Sequence, residues 1–111
     1  MNEEMVQNAM QIILHAGDAR TRVEKALIAV SIFDFETAEK EMELAQVKIT
    51  EAHKVQTDAI QDEIRGTASE SSLLFTHAQD TLMTIYSEIN IAKQLINIAK
   101  SLDQRLKVLE K

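Results

Sequence analysis

Cysteine and proline are both absent from this 111-residue chain, and glycine occurs only twice, at Gly17 and Gly66. Without cysteine, disulfides and thiolate-held zinc are excluded. Without proline, and nearly without glycine, little in the sequence interrupts long helices. Aromatic residues are scarce too: Phe33, Phe35, Phe75 and Tyr86 are the full set. A core must therefore come from Leu, Ile, Val, Met and Ala. No apolar run approaches the ~20 residues needed to span a bilayer. Lys and Arg never form a block longer than a pair, and the formal charge is −6. Such a chain lacks the clustered basic surface that nucleic-acid backbones or anionic membranes require. A partner with a basic face suits it better. Met1-Asn2-Glu3-Glu4 lacks the basic start of a signal peptide, so a cytoplasmic location is expected.

What is present favours helix. Ala, Leu, Glu, Gln, Lys and Met lose little conformational freedom there. The length suits one domain, taken as residues 1–111. Two breaks divide it. At Ser31-Ile32-Phe33-Asp34-Phe35-Glu36, Asp34 is a good N-cap for a following helix. At Arg65-Gly66-Thr67-Ala68-Ser69-Glu70-Ser71-Ser72, Gly66 suits a left-handed terminus and Thr67 with Glu70 fits a capping box, with Ser69 or Ser71 as alternative caps. Three helices are expected near 4–32, 35–64 and 70–109, all-α and folded as an antiparallel up-down-up bundle.

Apolar residues recur at helical steps in each segment. The first stripe is Val6, Ala9, Ile13, Ala16, Val23, Leu27 and Val30. The second is Phe35, Ala38, Met42, Ala45, Ile49, Ala52 and Ala59, interrupted by Gln56. The third helix carries two stripes. One is Leu74, Ala78, Leu82, Ile85, Ile89, Ala92, Ile96 and Ala99; the other is Leu73, His77, Asp80, Thr84, Ser87, Ile91, Leu95 and Ile98. They lie roughly 100–120° apart around the axis. One suffices to pack on two neighbouring helices. The other, left in water, calls for a second copy of the chain. A single broad face seated between the first two helices is the alternative.

His77 and Asp80 interrupt the second stripe on one side of the helix. Spacing alone leaves two readings open: a structural histidine beside a solvated carboxylate, or a working pair. Imidazole is a nucleophile near neutral pH. Copies of Asp80 converging in a symmetric oligomer would need protons or a hard cation, Mg²⁺ or Ca²⁺ rather than Zn²⁺. His15 and His53 read as partly buried or surface residues. With no phosphate-cradling glycine loop, a relay fits better than a kinase.

The run Ser72-Leu73-Leu74-Phe75-Thr76-His77-Ala78-Gln79-Asp80-Thr81-Leu82-Met83-Thr84 resembles the signature of the lactose/cellobiose-type IIA components of the bacterial sugar phosphotransferase system. Ala16-Gly17-Asp18-Ala19-Arg20, Asp34-Phe35-Glu36-Thr37-Ala38-Glu39 and Glu51-Ala52-His53-Lys54-Val55-Gln56-Thr57 resemble further segments of the same family, in order. The resemblance implies a homotrimer, a nine-helix bundle, in which His77 accepts a phosphoryl group from the carrier protein HPr on Nε2 (tele). The group then passes to a cysteine of the IIB component, for a disaccharide entering through the IIC permease. Lactose, cellobiose and chitobiose classes all fit. It also implies that Asp80 supplies one carboxylate per subunit to Mg²⁺ on the trimer axis, and that Gln79 is a candidate phosphoryl contact. Two departures stand out. Thr81 lies where the family commonly has a second histidine, and Phe33 lies where the turn often has glycine. At a position of positive φ Phe33 is strained by ~1 kcal/mol or more; a hydrophobic staple onto Ala38 is its alternative role. A non-catalytic oligomer that binds partners as a regulatory relative is the competing function. A free-standing metal-binding bundle is a third and weaker one.

Overall fold

The computed structural model describes residues 3–65 and 73–110. Three helices account for nearly all of them: α1 (Glu3–Ser31), α2 (Phe35–Ile64) and α3 (Leu73–Leu109). The described residues contain no strand. Cross-helix pairs give the directions. His15 meets Glu51 and Arg22 meets Glu41, so α1 and α2 run antiparallel. Gln46 meets Lys93 and Glu39 meets Lys100, so α2 and α3 do as well. The result is up-down-up.

The rod measures 65 × 18 × 18 Å, with a Cα radius of gyration of 18.0 Å. A compact chain of this length would have about 13 Å. Elongation leaves much of each helix in water, and it makes the identity of the buried stripes decisive.

On α1 the buried line is Ala9, Ile12, Ala16, Ala19, Val23, Ala26 and Ala29. Ile12 therefore replaces the expected Ile13 at the centre. Ile13, Leu27 and Val30 pack against the core from the side. The reason is close approach. Alanines on α1 face Ala38, Ala45 and Ala52 of α2, and small side chains let two helices draw together, which moves larger residues to the flanks. On α2, Gln56 is buried in line with these alanines. α3 contributes the bulk: Leu82 and Ile85, with Ile12 and Ile49, are the largest fully buried side chains. Truncating one of them to alanine would cost about 2–5 kcal/mol.

The α1–α2 turn is a Schellman motif. Phe33 N–H donates to Val30 O and Asp34 N–H to Ala29 O, each at 2.9 Å, which satisfies carbonyls at the end of α1. Phe33 takes the left-handed position with φ 59°. Glycine is the relaxed occupant of such a site, because a Cβ crowds the backbone there. The expected strain is thus present. The ring of Phe33 stacks on Phe35, with centroids 5.8 Å apart. Asp34 caps α2, its carboxylate accepting from Thr37 N–H at 3.2 Å. The expected helix end at Gly66 and the capping box of Thr67 and Glu70 lie outside the described residues.

Candidate functional site

The two stripes of α3 part company. Ala78, Leu82, Ile85, Ile89, Ala92 and Ile96 are buried against α1 and α2. Along the other stripe His77, Asp80, Thr84 and Ser87 are all exposed. Its large apolar members, Leu73, Ile91, Leu95 and Ile98, are between 44 % and 87 % exposed. A single broad face seated between α1 and α2 is thereby excluded. The second stripe is an uncovered band along the length of the helix.

His77 sits one turn into α3, on this band, with Asp80 one turn further on. Three residues apart on a helix, they share a flank. Both side chains reach water, so the imidazole is accessible to a large partner. Gln79 is half-buried and lies two residues on, about 200° around the axis. The helix does not aim it at the ring of His77. A phosphoryl contact from Gln79 would have to be made across to another chain. Thr81 donates its hydroxyl to the His77 backbone carbonyl at 2.9 Å.

The remaining histidines are separate from this flank. His15 lies between α1 and α2, its Nδ1 3.1 Å from Glu51 Oε2. That nitrogen is buried but is not aligned for a hydrogen bond, so the contact is an ion-pair distance only. Lys48 approaches the same carboxylate oxygen at 3.9 Å. His53 is exposed on α2.

Among the described residues, no group of three or more His, Cys, Asp or Glu could hold a metal ion. One chain therefore offers Asp80 alone on this band. Its oxygen donors suit Mg²⁺, but a site would need the carboxylates of several chains together.

One contact had no signature in the spacing. Arg20 of α1 forms a two-pronged bond with Glu88 of α3, Nε to Oε1 and Nη2 to Oε2, both at 2.9 Å. This hydrogen bonding to Glu88 raises the guanidinium above its ordinary pKa. The two residues are 68 positions apart, and only the packing of α1 on α3 brings them together. Arg20 lies in the Ala16–Arg20 run, and its bond to Glu88 links α1 to α3.

Taken together, these features define an all-helical chain with His77 and Asp80 exposed on one flank of α3. Residues 7–100 match the family described as the lactose/cellobiose-specific IIA subunit of the PTS system, and the chain belongs to that family. It is 37% identical over 105 residues to the lichenan-specific phosphotransferase enzyme IIA component of Bacillus subtilis (strain 168), covering 95% of this chain and 96% of the other. It is 36% identical over 108 residues to the lactose-specific EIIA component of Lacticaseibacillus casei, covering 97% and 93%. Among solved structures, the cellobiose-specific enzyme IIA of Bacillus anthracis superposes with a TM-score of 0.87 at 36% identity, covering 94% of this chain and 95% of that one. The chain is thus a component of a sugar phosphotransferase system. None of its described helices is long and apolar enough to cross a membrane.

Proposed function

We propose that the protein is a phosphocarrier whose working residue is His77. The observation that supports this best is the exposed imidazole on the uncovered flank of α3, within the segment that resembles the family signature. A lone pair on Nε2 attacks the phosphorus of the phosphohistidine of HPr. The new N–P bond forms as the bond to the donor nitrogen breaks, and the donor imidazole leaves neutral. In the second transfer a cysteine thiolate of the IIB component attacks the same phosphorus, and His77 is released. Both steps exchange one phosphoryl group between nucleophiles, with no nucleotide and no oxidant. The sugar delivered through the IIC permease is a disaccharide of the lactose, cellobiose or chitobiose class, and this subunit touches proteins rather than sugar.

The uncovered stripe supports assembly of several copies through α3, and the family resemblance supports three. In such a homotrimer Asp80 of each chain would hold a shared Mg²⁺ on the axis. The ion, when bound, supplies positive charge that offsets repulsion between the carboxylates. An acidic chain working among carrier proteins and a IIB partner belongs in the cytoplasm.

The test is incubation with phosphoenolpyruvate, Enzyme I and HPr. One acid-labile phosphate per chain should appear in the wild type and vanish in His77→Ala. Absence of labelling in the wild type would overturn the proposal.

A further inference from the structure

No turn joins α1 to α3, because α2 stands between them in the chain. The α1–α2 register is set by the Schellman turn, and the Arg22–Glu41 and His15–Glu51 pairs agree with it. How far α1 can slide along α3 depends instead on their shared seam. On the α1 side that seam is smooth. Five of its seven buried residues are alanine, and only Ile12 and Val23 are larger. Small side chains make shallow ridges, so they let helices approach closely without fixing axial position. The cross-links from α3 to α2, Gln46–Lys93 and Glu39–Lys100, lie further from His77 than Glu88 does.

Arg20 grips Glu88 on this seam, with Nε and Nη2 each donating to a separate carboxylate oxygen at 2.9 Å. The two side chains are 43% and 40% exposed, so the pair adds little to stability. Its value is geometric, since two parallel bonds tolerate far less sliding than one. The bond is also in line with His77. His77 precedes Glu88 by three turns, roughly 16 Å along α3 and about 20° around it. The flank of α3 that Arg20 holds is therefore the flank that carries the imidazole. On α1, Ile13 and Val6 precede Arg20 by about two and four turns, roughly 20° and 40° around the helix. α1 and α3 run parallel, and Arg20 and Glu88 are 68 positions apart. Ile13 is thus level with Thr81, and Val6 with Leu74. Together they bracket the level of His77. Both are half-buried, so each offers an edge to a protein that approaches the imidazole.

We propose that Arg20 is a positioning residue for phosphoryl transfer. Through Glu88 it sets the axial register of α1 on α3, and so holds Val6 and Ile13 as a fixed wall beside His77 on which the phosphohistidine-bearing donor protein docks. This rests on the phosphocarrier role and extends it to a residue that touches no reacting atom. The wall meets the donor equally before and during transfer. Losing its register therefore raises the donor concentration required without slowing the bound step.

Rapid-quench labelling of the full-length protein over a range of phospho-HPr concentrations separates binding from transfer. Arg20→Lys keeps the positive charge beside Glu88 and Glu24 and loses the fork. Glu88→Gln keeps the length of the side chain and loses its charge. Each should raise the half-saturating phospho-HPr concentration at least about threefold, with a plateau rate within about twofold of wild type. The double variant should show no more than the larger single effect, because both substitutions remove one bond. Methyl resonances of Val6 and Ile13 should shift in both single variants while helical circular dichroism is unchanged. A wild-type half-saturating concentration in Arg20→Lys would overturn the proposal. If Glu88→Gln alone is impaired, the effect is the loss of a negative charge facing the donor, and the positioning role fails. Single effects that multiply in the double variant, or a lower plateau rate alone, overturn it as well. A wild type that phospho-HPr does not label would overturn the phosphocarrier reading and the positioning role together.

Discussion

Thr81 donates its hydroxyl to the backbone carbonyl of His77 at 2.9 Å. The side chain one turn beyond the proposed nucleophile is thus tied to the helix and not to the imidazole. Thr81→Ala should therefore change the initial rate of His77 labelling by no more than about threefold, well under 1 kcal/mol in barrier. Rapid-quench labelling from phospho-HPr measures this. A loss of a hundredfold would mean that the hydroxyl leaves the carbonyl to act on the phosphoryl group.

Phe33 sets strain against stacking. Phe33→Ala keeps the left-handed backbone and loses the ring contact with Phe35. Phe33→Gly loses the same contact and relaxes the backbone. The glycine variant should be the more stable of the two by about 1 kcal/mol. Urea unfolding of both variants gives this difference without any need to know the worth of the stack. Equal stability would mean that φ 59° carries no strain at this turn.

Asp34 is expected to make the stability of the bundle fall in acid. Its carboxyl is held below the ordinary range, first by hydrogen bonding to the Thr37 side chain and then to the Thr37 N–H. A depressed folded-state pKa contributes stability that is present above the unfolded value and lost as pH falls through the folded one. Asp34→Asn can still cap the helix but does not titrate. The stability difference between wild type and Asp34→Asn should be constant near neutrality and shift against the wild type below about pH 4. Thermal midpoints across that range would show it; parallel curves down to the most acid point would refute it.

Asp80 faces the opposite test. Asp80→Asn removes charge from the polar half of the exposed stripe, so association should survive and lose any dependence on divalent ions. Sedimentation with and without EDTA decides this. A wild type indifferent to EDTA, with no metal found by elemental analysis, would remove Asp80 from the list of metal ligands.

Much of the architecture was legible in the chain because helices write themselves into local spacing. Asp34 as N-cap follows from the side-chain chemistry of one residue and its neighbour. The two stripes of α3 follow from a 3.6-residue period. Which residue of a stripe faces the centre was less legible. Ile12 rather than Ile13 lies in the core because alanines on two helices allow a close approach, and that is a property of the pair. At the site, sequence placed His77 and Asp80 on one flank because they are three residues apart. It did not separate Gln79 from them, since adjacency in a motif says nothing of direction around an axis. The Arg20–Glu88 bond left no trace in spacing at all.

The sequence by itself determined that the chain is helical, where the first turn falls, and that His77 stands in a segment resembling a phosphocarrier signature. These are local properties, set by side-chain entropy, capping and residue order. Only the tertiary structure decided which face of α3 is covered. Two apolar stripes on one helix are equivalent until neighbouring helices bury one of them, and burial against α1 and α2 left the stripe bearing His77 in the open. That choice leaves the histidine of the motif as an exposed imidazole on the uncovered flank of the helix.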